Sequence, residues 1–312
     1  MNPNVGWWIL SPAATEIELQ TVLAIVRLGI DDHERIDPAE LRVAIERDRE
    51  AGITPFLVIA TAGTTNTGAI DPIGAIADVC SEAGVWLHVD GAYGAPVAAL
   101  PGASRDLKAI SRADSLAIDP HKWLYAPLEA GCALVRKRED LLRAYSHHPH
   151  YYHFAEAEGE SGTNFHELGL QNSRGFRALK VWLAMRQVGR AGYVEMMEQD
   201  ISLAREMFKA VDAEETLEVR TCELSIVTFR YVPPDLRSTA DESTEYLNRL
   251  NEDIVSALQL GGEIFVSNAT IRGVFLLRAC VVNFRTTTAD VCAVPGIVVE
   301  VGKRIDAELR GR

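Results

Sequence analysis

Apolar and polar positions fall into blocks along most of the chain, each short enough for a strand or long enough for a helix. Ile25 to Leu28 is a strand candidate. Asp37-Pro38-Ala39-Glu40 then offers an N-cap, a proline at the first helical position and a capping-box acid. The helix it opens runs through Leu41, Ala44 and Ile45 and stops before Gly52. Phe56 to Thr61 reads as a buried strand, followed by Gly63-Thr64-Thr65-Asn66-Thr67-Gly68, a loop of small hydroxyl residues. Asp71-Pro72 is expected to cap a helix that ends at Gly84. Trp86 to Asp90, Ser115 to Asp119 and Ala133 to Arg136 are further strands. Strands separated by helices of this length predict an α/β fold with a mostly parallel sheet and right-handed crossovers.

The second half of the chain changes character. Ser173 to Val188 predicts an amphipathic helix with Phe176, Leu179, Leu183 and Met185 at core spacing. After Gly192 the pattern gives a helix over 194–211, a strand over 224–231, a helix over 243–258, and strands near 263–267 and 274–282. Pro233-Pro234-Asp235 is a loop, and Pro295 should kink or split the last helix, which runs to Leu309. This divides the chain into a large unit over 24–190 and a small C-terminal α/β unit over 191–312. Residues 145–166 fit neither, being polar and aromatic, and a long loop of this kind is usually functional or mobile. Its His147, His148, His150 and His153 lack a cysteine or helical spacing, so no metal site is expected.

The candidate chemistry sits at two strand ends. His88-Val89-Asp90 closes one apolar run and meets Gly91 and Ala92; Asp119-Pro120-His121-Lys122 closes another. Open α/β sheets bind ligands at the C-terminal ends of their strands, so one acid and one lysine are brought to the same edge. A lysine that holds pyridoxal phosphate covalently, with an acid paired to the pyridinium nitrogen, needs that arrangement. Taken singly, each has a plainer reading as a turn acid and a solvated lysine.

Composition narrows the partners. The 312 residues carry a net charge of −13, which disfavours nucleic acid and anionic membranes. Cys80, Cys132, Cys222, Cys280 and Cys292 are scattered without disulfide or metal spacing, as suits a reducing cytoplasm. Trp7-Trp8-Ile9-Leu10 is too short an apolar run for a signal peptide, and no stretch reaches transmembrane length.

His88-Val89-Asp90 and His121-Lys122-Trp123, in that order, resemble the group II pyridoxal-phosphate decarboxylases, above all the aromatic-L-amino-acid decarboxylases. The resemblance covers nearly the whole chain and includes Ser-Arg-x-Phe-Arg-x-Leu-Lys-x-Trp from Ser173. It implies the fold of the fold type I pyridoxal-phosphate enzymes, with that cofactor, and decarboxylation of an L-amino acid in a homodimer whose sites are shared between chains. By it Lys122 carries the cofactor, Asp90 pairs with the ring nitrogen, and Thr65, Ala92 and His121 contact the ring or phosphate. Asp119 stands where some relatives have Asn. Residues 1–23 correspond to a swapped N-terminal arm, with Pro12 near the substrate and Trp7, Trp8 and Phe154 available to line an apolar pocket. Tyr151, in Pro149-His150-Tyr151, corresponds to a lid tyrosine that returns a proton to Cα. A tyrosine there implies simple decarboxylation, whereas phenylalanine accompanies aldehyde formation.

The resemblance also exposes a gap. Between Val22 and Ala24 the sequence steps from the arm to a stretch far downstream, without the phosphate loop or the ring-stacking histidine. Either residues are missing there or the deletion is real, and the 312 residues are expected to be a spliced list. Two other readings stay open at this stage. One is a glutamate-type decarboxylase or aldehyde synthase, against which Trp123 and Tyr151 argue in turn. The other is a non-catalytic remnant.

Overall fold

Asp37 starts the first helix, α1 (Pro38–Glu50), and its carboxylate accepts from the Ala39 amide at 2.8 Å. Gly52, at φ 78°, lies just beyond its end. The computed structural model describes residues 28–146, 163–240 and 242–311. The step at Val22 to Ala24 lies outside them, as does the Ile25 to Leu28 strand candidate except for Leu28, which is not in a strand.

The chain then builds a four-stranded sheet in the order β1 (Leu57–Thr61), β2 (Trp86–Asp90), β3 (Ser115–Ile118) and β4 (Cys132–Val135). The first three are parallel, connected through α2 (Ile73–Ala83) and α3 (Arg105–Ala109), and β4 returns antiparallel. One face is packed: Val58, Ala60, Leu87 and Val89 are buried with Ile73 and Ile76 of α2 and Leu107 of α3. Each fully buried aliphatic side chain there contributes about 1.5–3 kcal/mol.

The other face is open. Register pairs Leu57 with Trp86, Ile59 with His88 and Thr61 with Asp90, so these side chains share one side of the sheet. Leu57 and Ile59 are exposed, and Phe56 just before them is 73% exposed. The expectation that Phe56 to Thr61 is a buried strand is therefore corrected: Val58 and Ala60 are buried, whereas Phe56, Leu57 and Ile59 are not. Parallel sheets are normally covered on both faces, and nothing among the described residues covers this one.

Asp71 also departs from expectation. It does not cap α2, whose first turn follows Pro72 without a side-chain cap. Its buried carboxylate instead accepts from the Thr61 amide at 2.6 Å and the Ile36 amide at 2.8 Å, closing the end of β1. Burial pushes this acid above the usual carboxylate range, against the pull of the two amides.

Beyond α4 (Arg138–Tyr145), helix α5 (Arg177–Asp212) begins at Arg177 rather than Ser173. Gly189, at φ 69° and ψ 171°, breaks it into two segments. Phe176 just before it and Leu179, Leu183 and Met185 on the first segment are exposed, although their spacing predicted a core face. The periodicity is correct, but no described element packs against it. On the second, Tyr193, Met197, Leu203 and Met207 are buried.

The C-terminal unit is an antiparallel sheet formed by β5 (Leu217–Glu223), β6 (Ile226–Tyr231), β7 (Ser267–Ile271) and β8 (Val274–Cys280), in spatial order β5-β6-β8-β7. The second segment of α5, with α6 (Thr244–Gly261) and α7 (Thr288–Arg310), packs on it around Phe229, Leu250, Ile254, Leu277 and Val298. Strand β5 escaped prediction because its turn to β6 is Leu224-Ser225, with Leu224 at φ 53° and no glycine or asparagine to announce a hairpin. Helix α7 is not split at Pro295, which is buried beside Val291, Val294 and Val298. No helix among the described residues is long and apolar enough to cross a membrane.

Candidate active site

Two glycines let the chain deliver polar groups at the top of the sheet. At Gly91 an added Cβ would stand 2.4 Å from the Ala95 Cβ and 3.1 Å from the Ala117 carbonyl oxygen, so the turn after β2 has room for glycine alone. At Gly68, with φ 80°, it would stand 2.5 Å from the Glu223 carbonyl oxygen, where the Thr65 loop meets the C-terminal unit.

Asp90 ends β2 on the open face and is exposed, with its Oδ1 accepting from the Ala92 amide at 3.0 Å. The Ala92 carbonyl in turn accepts from the Asp119 amide at 3.1 Å, which ties the two strand ends together. On the same face of β2, the half-buried His88 places Nδ1 2.7 Å from the Ser115 hydroxyl. Burial holds His88 below its usual pKa, against the raising effect of Asp90.

Lys122 lies in a tight turn after β3. Its amide donates to the Asp119 carbonyl at 2.9 Å, and its carbonyl accepts from Tyr125 at 3.1 Å. Its ammonium pairs with Asp119 Oδ2 at 2.9 Å. His121 Nδ1 lies 2.7 Å from the Ala130 carbonyl oxygen, and its Nε2 is 3.9 Å from the same Asp119 oxygen. Tyr125 sits at φ 51°, a left-handed conformation that a tyrosine rarely adopts.

Thr65, His121 and Lys122 line one cavity of about 480 Å³ between the two units, together with Arg278, Cys280 and Phe284. Asp90 and Ala92 stand at the neighbouring strand end and are not part of its lining. Trp7, Pro12, Tyr151 and Phe154, and His147, His148, His150 and His153, lie outside the described residues.

Two groups were missed on sequence. Asp119 lies at the predicted strand end, but the sequence does not single it out as the partner of the Lys122 ammonium. Arg278 donates to the Ser267 hydroxyl at 3.2 Å, while its buried Nε has no partner. The available signal was a lone charge inside the apolar run Val274-Phe275-Leu276-Leu277-Arg278-Ala279-Cys280. Two cationic side chains, Arg278 and Lys122, lining one cavity suit an anionic ligand.

A profile of the pyridoxal-dependent decarboxylase conserved domain matches residues 7–232. The chain belongs to this family. It is 40% identical over 267 residues to an aromatic-L-amino-acid decarboxylase of Bacillus atrophaeus, covering 85% of this chain and 55% of that protein. A tryptophan decarboxylase of Camptotheca acuminata is 34% identical over 252 residues, covering 80% of this chain and 49% of the relative. Among solved structures, Oryza sativa TDC with PLP and tryptamine superposes with a TM-score of 0.82 at 27% identity, covering 94% of this chain and 61% of that one. The fold is thus that of the fold type I pyridoxal-phosphate enzymes. The chain spans about half the length of the curated relatives it matches.

The donor set of this family member fits the ring and carbonyl of pyridoxal phosphate. Lys122 offers a primary amine at the cavity wall, Asp90 a carboxylate one strand away, and Arg278 a second cation on the cavity wall for negative charge.

Proposed function

We propose that the chain binds pyridoxal phosphate through Lys122 and serves the decarboxylation of an aromatic L-amino acid to its amine. The observation that carries this reading is the Lys122 ammonium on a cavity wall with Thr65, His121 and Arg278, next to the strand that ends in Asp90. Support for an aromatic substrate comes from the names of the Bacillus atrophaeus and Camptotheca acuminata relatives.

When bound, the cofactor supplies an electron sink for the pair left on Cα as carbon dioxide departs. Lys122 would hold it through Nζ and yield it to the incoming amine. Asp90 would keep a proton on the ring nitrogen by setting a carboxylate against it. Thr65, Ala92 and His121 would position the ring and phosphate, and Arg278 would receive an anionic group of the bound molecule. Trp7, Pro12 and Phe154 would contact the substrate side chain, and Tyr151 Oη would deliver the proton to Cα.

The test is a panel of L-tryptophan, L-tyrosine, L-phenylalanine and L-glutamate, following amine, carbon dioxide and oxygen together. Amine and carbon dioxide from an aromatic substrate without oxygen uptake is the expected result. Turnover of glutamate alone would overturn the substrate class, and aldehyde with oxygen uptake would overturn the role of Tyr151.

The active unit in this reading is a homodimer with each site built from both chains. The exposed Phe56, Leu57, Ile59, Phe176 and Trp182 support it, since large apolar side chains left uncovered are what an interface would bury. Sedimentation at working concentration should find a dimer, and an active monomer would end the idea. All five cysteines are free thiols, which supports a cytoplasmic setting.

A further inference from the structure

Asp200 is 1% exposed, a carboxylate inside the second segment of α5, where an aliphatic residue would cost far less to bury. Its Oδ2 accepts from Trp123 Nε1 at 2.7 Å and from the Tyr125 hydroxyl. These two donors follow Lys122, one residue and three residues after it. Tyr193, on the same stripe of the helix, donates from its hydroxyl to the Leu124 carbonyl at 3.0 Å, between them. Three consecutive residues after Lys122 are therefore fastened to one helix face.

The rest of the turn depends on those ties. Trp123 is fully buried and stacked on Tyr93 at 4.6 Å and 8°. Tyr93 reaches the C-terminal unit through a 2.5 Å contact between its hydroxyl and that of Ser225. Tyr125 holds its left-handed backbone while its ring meets Phe284 edge-on at 5.5 Å. The Lys122 side chain itself is 42% exposed, with Asp119 as its ion-pair partner. Its aim is thus set by the backbone of the turn more than by packing around the amine.

We propose that Asp200 is a positioning residue for Lys122, holding the turn that presents the amine by accepting hydrogen bonds from Trp123 and Tyr125. Burial pushes the Asp200 carboxyl upward, and the two donors pull it back toward the charged form that accepts both bonds. The proposal rests on Lys122 being the cofactor-holding amine.

The experiment uses the full chain and the variants Asp200→Ala, Asp200→Asn and Tyr125→Phe. Each is mixed with pyridoxal phosphate, quenched with borohydride at set times, and the modified lysines are quantified by peptide mass spectrometry. Lys108, exposed on α3, is the internal control. In Asp200→Ala the limiting trapping rate at Lys122 should fall roughly tenfold, with an unchanged half-saturating cofactor concentration and unchanged Lys108 labelling. Asp200→Asn keeps one acceptor oxygen and should recover part of that loss. If Asp200→Ala does not fold, Asp200→Asn and Tyr125→Phe carry the test: each should slow Lys122, and together they should cost less than the sum of the two. Parent-like trapping at Lys122 in the folded variants overturns this proposal alone. Absence of trapping at Lys122 in the parent overturns it together with the functional reading on which it rests.

Discussion

Lys122→Ala should abolish turnover, with a loss of roughly 10³–10⁶-fold, while leaving the fold nearly as stable as before. The two halves of that expectation have different causes. Lys122 forms one ion pair, with Asp119 at 2.9 Å, and both side chains are partly exposed. Such pairs contribute about 0–1 kcal/mol, so the melting temperature should hardly move. The chemical loss is larger because no other described lysine lines the cavity. A free amine added to the solution lacks the positioning that the turn over residues 119–126 provides. Turnover at a tenth of the parent rate or above in a folded Lys122→Ala protein would contradict the assignment.

The second large effect is expected at Asp90. Asp90→Asn is nearly isosteric, and its side-chain oxygen can still accept from the Ala92 amide, as Oδ1 does now. The residue is exposed at a strand end, and substitutions at such places usually change stability by less than about 0.5 kcal/mol. Cofactor should therefore still bind in part. Turnover should fall by roughly 10³-fold, because a neutral amide no longer sets negative charge against the ring nitrogen, and preorganised charge of this kind is a large catalytic contribution. A rate within a few-fold of the parent would remove Asp90 from the site. Steady-state turnover beside a circular-dichroism melt separates that outcome from unfolding.

Much of this site was legible because strand ends are legible. The apolar runs ending in Asp90 and before Asp119 are short, bounded by small or turn residues, and both form parallel strands whose ends are tied through Ala92. What periodicity does not reveal is which residue of a distant strand faces a cavity. Arg278 enters from the C-terminal sheet, and Asp200 reads in sequence as one more polar position on a helix of mixed pattern. Their roles come from packing between units, which no local spacing encodes. Phe176, Leu179, Leu183 and Met185 show the converse, since their helical period is that of a buried face and the structure leaves them exposed. Period reports what a helix is built to meet, and the described residues do not include what it meets. Asp71 departs from the cap its sequence suggests because Asp-Pro before a helix has two outlets: a cap, or the unpaired amides of a neighbouring strand end. The two amides at Thr61 and Ile36 prevailed.

The most direct measurement is the identity of the lysine that takes up the cofactor. Purified protein incubated with pyridoxal phosphate and reduced with borohydride should carry one stoichiometric adduct, on the peptide containing Lys122, with a visible absorption band beforehand. A stoichiometric adduct on another lysine, or none on a folded protein, would contradict the proposed function at its root.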